Sequence, residues 1–127
     1  MTKKDILIEN DWSDEERRAY ERYSVEFYLA VYNSDNDALF GHIMDISLGG
    51  MQLLSETSVA IGELFRFRID AALQDGQKLM IELQVRNAWQ TEDLNPGFFN
   101  AGFEFIDLPP SAMQGIEDIT AEIIANM

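Results

Sequence analysis

Cysteine is absent from this chain of 127 residues and histidine occurs once, which removes several kinds of chemistry at the outset. Disulfides, thiolate metal sites and cysteine nucleophiles are excluded. Any histidine dyad or multi-histidine metal site would depend on His42 alone, whose plain reading is a surface or packed strand residue. Positive charge is scarce too: nine Lys and Arg stand against 23 Asp and Glu, a formal charge of −14. Proteins that hold nucleic-acid backbones need a basic surface, so general DNA or RNA binding is excluded. Long apolar runs are missing as well. The opening MTKKDILIEN offers Ile6, Leu7 and Ile8 before Glu9, too short for a signal-peptide core, and nothing later approaches the roughly 18 apolar residues of a membrane span. The expectation is a cytoplasmic protein without membrane insertion.

What is present suits one folded unit. An apolar content of 46% can supply a single hydrophobic core without staples, and neither a repeat nor a linker divides the chain, so residues 1–127 read as one domain. Residues 1–22 read as a loose arm. Within it, Ser13-x-x-Glu16 is a capping-box pattern that opens a short helix running to about Tyr20 or Glu21. From Ser24 the apolar period becomes two, with Val25, Phe27, Leu29 and Val31 on one face. The turn formers Asn33 to Asp37 then lead into a second strand over Leu39 to Ile46. Further strands follow at Met51 to Leu54, Phe65 to Ile69, Leu79 to Trp89 and Phe98 to Ile106. Asp75-Gly76 and Asn95-Pro96-Gly97 mark turns, and Met80 interrupts the alternation of Leu79, Ile81, Leu83 and Val85. After Pro109-Pro110, Ser111 is placed to cap a helix whose stripe is Met113, Ile116, Ile119, Ile123 and Ile124. The prediction is a mainly β fold, a six-stranded antiparallel β-barrel over 23–108 with a C-terminal α-helix over 109–127. A closed barrel leaves no exposed strand edges.

Two short patterns carry the chemistry. Arg18-x-x-x-Arg22, with Arg17 beside it, presents planar donors that match phosphate oxygens or the O6/N7 edge of guanine. Asp45-x-Ser47-x-x-Gly50 puts a carboxylate and a hydroxyl on a turn with Gly49 and Gly50, which permit positive φ and close approach of main chain to a ligand. A carboxylate accepts from guanine N1–H and its exocyclic amine, so one base is readable from two sides. Each pattern alone is common in helices or turns. Their order and the 22 residues between Arg22 and Asp45 make the pair more specific. Five of the nine basic residues (Lys3, Lys4, Arg17, Arg18, Arg22) fall within the first 22 positions. Screening beyond about 8 to 10 Å allows such a patch to capture an anion despite the acidic remainder.

These patterns, with ERRAYERYSVEF at 16–27, GHIMDISLGGMQLL at 41–54, LQVRNAW and FNAGFEFIDL, resemble the PilZ domain, a bacterial receptor module for cyclic di-GMP. The resemblance implies a split barrel of the PilZ type. It also implies a cyclic di-GMP site: Arg18 and Arg22 on phosphate and the outer edge of guanine, Arg17 adding charge or a second ligand molecule, and Asp45, Ser47, Gly49 and Gly50 on the barrel side. An indole stacks well on a purine, so Trp89, and with it Gly102, joins the candidate ligand-binding residues. Core packing and relief of strand crowding are their plain readings.

No catalytic or metal-binding residue is assigned and no cofactor is implied. Ser47 lacks an evident base, since Asp45 at its ordinary pKa of about 4 activates a serine poorly. The implied function is a receptor or adaptor that orders its arm around cyclic di-GMP and signals to an unidentified downstream protein in motility, adhesion or exopolysaccharide control. It would act as a monomer or a ligand-dependent homodimer. Two rivals stand beside it: a ligand-independent protein-interaction adaptor on the same barrel, and a split-barrel flavin enzyme, for which the arginines before the first strand would have no purpose.

Overall fold

The computed structural model describes residues 23–24, as backbone, together with 29–73 and 75–125. The expected arm and its short helix, residues 1–22, lie outside that set, as do Val25 and Phe27. The elements are β1 Tyr23–Ser24, β2 Ala30–Asn33, β3 Leu39–Ile46, β4 Gly50–Ser55, β5 Leu64–Ala72, β6 Lys78–Glu92, β7 Phe99–Ile106 and a helix, α1, Pro110–Ala125.

Every strand pairing is antiparallel. The strands run β3-β2-β5-β6-β7-β4, and β4 pairs back onto β3, so six strands close into the expected barrel. The two-residue β1 adds to the far end of β3, with Tyr23 opposite Ile46 and Ser24 opposite Asp45.

The barrel closes because alternate residues of each strand are apolar and point inward. Val31, Ile43, Met51, Leu53, Phe67, Ile69, Ile81, Leu83, Val85, Ala101 and Phe103 form one core. Phe40, Phe65, Phe67 and Phe103 cluster within it, with ring centroids 4.7 to 5.9 Å apart and mostly tilted or edge-on as aromatic quadrupoles prefer. Met80 does not interrupt β6. It lies on the outer face, 68% exposed, while Ile81, Leu83 and Val85 keep the inward period, so it is simply an apolar residue facing solvent.

The turns follow their residue chemistry. Asn33 and Asn36 accept main-chain N–H groups through their side-chain oxygens, at 2.9 Å each, to bend the chain between β2 and β3. Gly76 and Gly97 supply the positive φ that the other two predicted turns need.

The helix is capped two residues earlier than expected, at Pro109 rather than Ser111. Pro110 is its first residue, where its missing N–H costs nothing, and Met113 N donates to Pro109 O at 2.9 Å, so Ser111 lies inside the helix rather than capping it. The buried stripe is Ala112, Gly115, Ile116, Ile119 and Ile123. Met113 and Ile124, expected on that stripe, are largely exposed. The helix packs on β6 and β1, and Gly115 lies so near Ile81 that an added Cβ would come within 2.7 Å of its Cδ1.

Candidate ligand-binding site

The Asp45 motif sits where β3 turns into β4. Ser47 N donates to Gly50 O at 2.9 Å, and the Ser47 hydroxyl accepts from Gly49 N at 3.1 Å. Phe105 N donates to Gly49 O at 3.1 Å, which ties this turn to β7. Ser47 is buried, and its hydroxyl helps hold the turn in shape. Neither Gly49 nor Gly50 has a positive φ. Close approach is what requires Gly50: a Cβ there would collide with the carbonyl oxygen of Phe103 on the neighbouring strand.

A bulge decides which way Asp45 points. Gly41 and Ile43 are inward positions, and strict alternation would send residue 45 into the core with them. Instead Ile43 is opposite Leu53 while Asp45 is opposite Gln52, so β3 advances two residues where β4 advances one. Met44 is the extra residue. Asp45 is thereby turned to the outer face and Ile46 returned to the core. Although it faces outward, Asp45 is fully buried.

A second bulge does the same for Trp89. On β6, Asn87 is opposite Phe103 but Trp89 is opposite Gly102, which makes Ala88 the extra residue. Without it Trp89 would continue the inward series of Ile81, Leu83 and Val85. With it, Trp89 shares the outer face with Gly102, and its indole lies across that glycine: an added Cβ would be 2.5 Å from Cε2 and 2.7 Å from Cδ1. Gly102 thus leaves room for the ring of its neighbour, the relief of strand crowding that is its plain reading.

These registers join into a row. Asp45 on β3, Gln52 on β4, Gly102 on β7 and Trp89 on β6 are successive partners across four adjacent strands. The structure thus aligns Asp45, Gly102 and Trp89 on one face, with the Ser47–Gly50 turn at the end of β3 beside them. Arg17, Arg18 and Arg22 lie outside the described residues.

Two residues of this region escaped the sequence reading. Gln52 lies in the row itself, 7% exposed, and its Oε1 makes no hydrogen bond among the described residues. Asn87 is 1% exposed and faces inward, donating through Nδ2 to Trp89 O at 3.0 Å and to Gly102 O at 3.1 Å. Its own main chain is bound to the β4–β5 loop, Asn87 N to Glu63 O at 2.9 Å and Gly62 N to Asn87 O at 2.8 Å. Asn87 thus fastens the bulge that presents Trp89. An asparagine breaking the apolar series of β6 just before a tryptophan is the signal that could have revealed it.

The barrel's arginines are already engaged with carboxylates. Arg68 pairs with Asp37 and Asp70 and lies 4.7 Å from the Tyr32 ring centre, Arg86 pairs with Glu104 at 3.3 Å, and Arg66 pairs with Asp35 at 3.8 Å and Glu82 at 3.9 Å. The Asp37 contact, ahead of every other cause, holds the Arg68 guanidinium above its ordinary pKa.

Asp45, Gln52 and Trp89 thus bring a carboxylate, an amide and an indole onto one outer face of a closed barrel. The PilZ domain family model matches residues 16–122. This chain belongs to the PilZ domain family.

Solved structures share the fold. The PilZ domain of YcgR from Escherichia coli, solved with c-di-GMP, is 20% identical with a TM-score of 0.66, over 87% of this chain and 93% of that one. Inhibitor of motility MotI/DgrA from Bacillus subtilis is 19% identical with a TM-score of 0.67, over 87% of this chain and 50% of that one. The K. pneumonia MrkH–c-di-GMP complex is 19% identical with a TM-score of 0.61, over 87% of this chain and 53% of that one. The chain thus spans about half the length of the last two. No curated protein matches the sequence.

Proposed function

We propose that this protein is a receptor for cyclic di-GMP that acts on another protein and carries out no catalysis. The observation that carries the reading is the row from Asp45 to Trp89. It offers a carboxylate for the N1–H and amine edge of guanine and an indole for its face, in a family with members solved in complex with that nucleotide. In this reading Ser47, Gly49 and Gly50 line the edge of the base, and Trp89 stacks over the backbone of Gly102.

The phosphates need cations. With Arg66, Arg68 and Arg86 paired to carboxylates, the reading assigns phosphate and the outer guanine edge to Arg18 and Arg22, and added charge or a second ligand molecule to Arg17. Signalling then consists of ordering the leader, residues 1–22, against the barrel. Each ordered residue costs roughly 1 to 2 kcal/mol of backbone entropy, which ligand contacts offset, so the composite surface forms only with messenger bound. A downstream protein in motility, adhesion or exopolysaccharide control reads that surface. A charge of −14 favours a protein over DNA as that partner.

Calorimetric titration with cyclic di-GMP, cyclic di-AMP and GTP tests the reading. Saturable binding of cyclic di-GMP in preference to the other two is expected. Absence of heat with all three would leave the ligand-independent adaptor as the better account.

A further inference from the structure

The side chain of Gln52 has a place and a chemistry that the Asp45 motif does not account for. Its neighbours along β4, Met51 and Leu53, are fully buried in the core, so alternation directs Gln52 to the outer face. There its register partners are Asp45 on one side and Gly102 on the other. In antiparallel pairs such partners have Cβ atoms about 4.5 to 5.5 Å apart. Gly102 has no side chain to fill its side, and the Trp89 ring lies across it. The carboxamide therefore sits between a carboxylate and an indole. It is more than nine-tenths buried, yet Oε1 makes no hydrogen bond among the described residues. A buried carbonyl oxygen without a donor is costly, and native structures keep few of them.

We infer that Gln52 is a specificity-determining residue that accepts a hydrogen bond from the exocyclic amine of guanine. The inference rests on the cyclic di-GMP reading given above. Guanine presents three hydrogens on this edge, one on N1 and two on the amine. A carboxylate lying side-on accepts from N1–H and one amine hydrogen, which leaves the second amine hydrogen facing away from Asp45. An acceptor adjacent to Asp45 in the same row meets that hydrogen, and Gln52 Oε1 is such an acceptor. Adenine has no donor at N1. Hypoxanthine keeps N1–H and lacks only the amine, so it isolates the contact made by Gln52 together with the amine contact of Asp45.

The test compares cyclic di-GMP with its inosine counterpart by calorimetry on the full chain, in wild type and in Gln52→Met, which retains the length of the side chain and removes its hydrogen-bonding groups. Leaving one buried partner unsatisfied typically costs about tenfold in affinity. The wild-type preference for the guanine form should therefore narrow by about tenfold in the variant. A narrowing of less than about threefold, with cyclic di-GMP still bound, would overturn the role of Gln52 and leave the receptor reading intact. Wild type binding neither nucleotide would overturn both. A variant too unstable to titrate is replaced by an observation on wild type: the Gln52 side-chain amide resonances should shift with cyclic di-GMP more than with the inosine form, and equal shifts would refute the assignment.

Discussion

Trp89 lies across Gly102 from the adjacent strand, its indole occupying the space where any side chain at position 102 would begin. That contact is built by a one-residue bulge at Ala88, and the bulge is fastened by Asn87, whose amide donates to the carbonyls of both Trp89 and Gly102. Geometry set up in the core thus fixes an aromatic face on the outside of the barrel, in the same row as Asp45 with Gln52 between them.

Gly102→Val should push the indole off the strand. Overpacking of this kind costs about 1 to 3 kcal/mol, and under the receptor reading it also removes the stacking surface. In a Trp12→Phe background, which leaves Trp89 as the remaining tryptophan, the emission maximum should shift and cyclic di-GMP affinity should fall. Unchanged emission would show that the ring does not depend on the glycine.

Asn87→Leu removes both donors and places an apolar group against two carbonyls. A loss of about 1 to 3 kcal/mol is expected, because each carbonyl loses its side-chain partner in a buried site. Denaturant unfolding measures it, and a change below about half a kcal/mol, the usual size for surface substitutions, would mean that the bulge holds without Asn87.

Asp93 offers a pH test away from the site. The Asn100 side-chain amide, donating at 2.7 Å, and the Asn95 backbone N–H hold its carboxyl below the ordinary range. A lowered folded-state pKa means that its contribution to stability is present above the ordinary carboxylate pKa and is lost as pH falls through the lowered value. Asn100→Ala should move the Asp93 titration, followed by carbon NMR of its carboxyl, upward toward the ordinary range. An unmoved titration would assign the shift to Asn95 instead.

Arg18→Ala and Arg22→Ala should each weaken cyclic di-GMP binding by about 1.5 to 3 kcal/mol, the usual worth of a hydrogen bond to a charged group. Calorimetry checks this. Unchanged affinity in both variants would remove the leader from the site.

Much of this architecture was legible because period-two apolar patterns report strands directly: β3 spans Leu39–Ile46 as expected, and Asp75-Gly76 turns where it should. The facing of the key side chains was not legible. Strict alternation sends residue 45 inward with Ile43, and Trp89 inward with Val85. Both face outward only because Met44 and Ala88 are bulged, and a bulge depends on how two strands lock together, which neither strand carries alone. Gln52 was hidden for a related reason: within MQLL it reads as one polar residue of a short strand, and its importance comes from Asp45 and Gly102 on either side of it. The turn formed by Asp45-x-Ser47-x-x-Gly50 was readable since its spacing is local.

The central claim is that cyclic di-GMP occupies the outer face between Asp45 and Trp89, and amide NMR of the labelled chain during titration tests it most directly. The account predicts the largest shifts at Ser47 to Gly50, Gln52, Gly102 and the Trp89 indole N–H. Shifts confined to the opposite wall, around Tyr32 and Arg68, would contradict it.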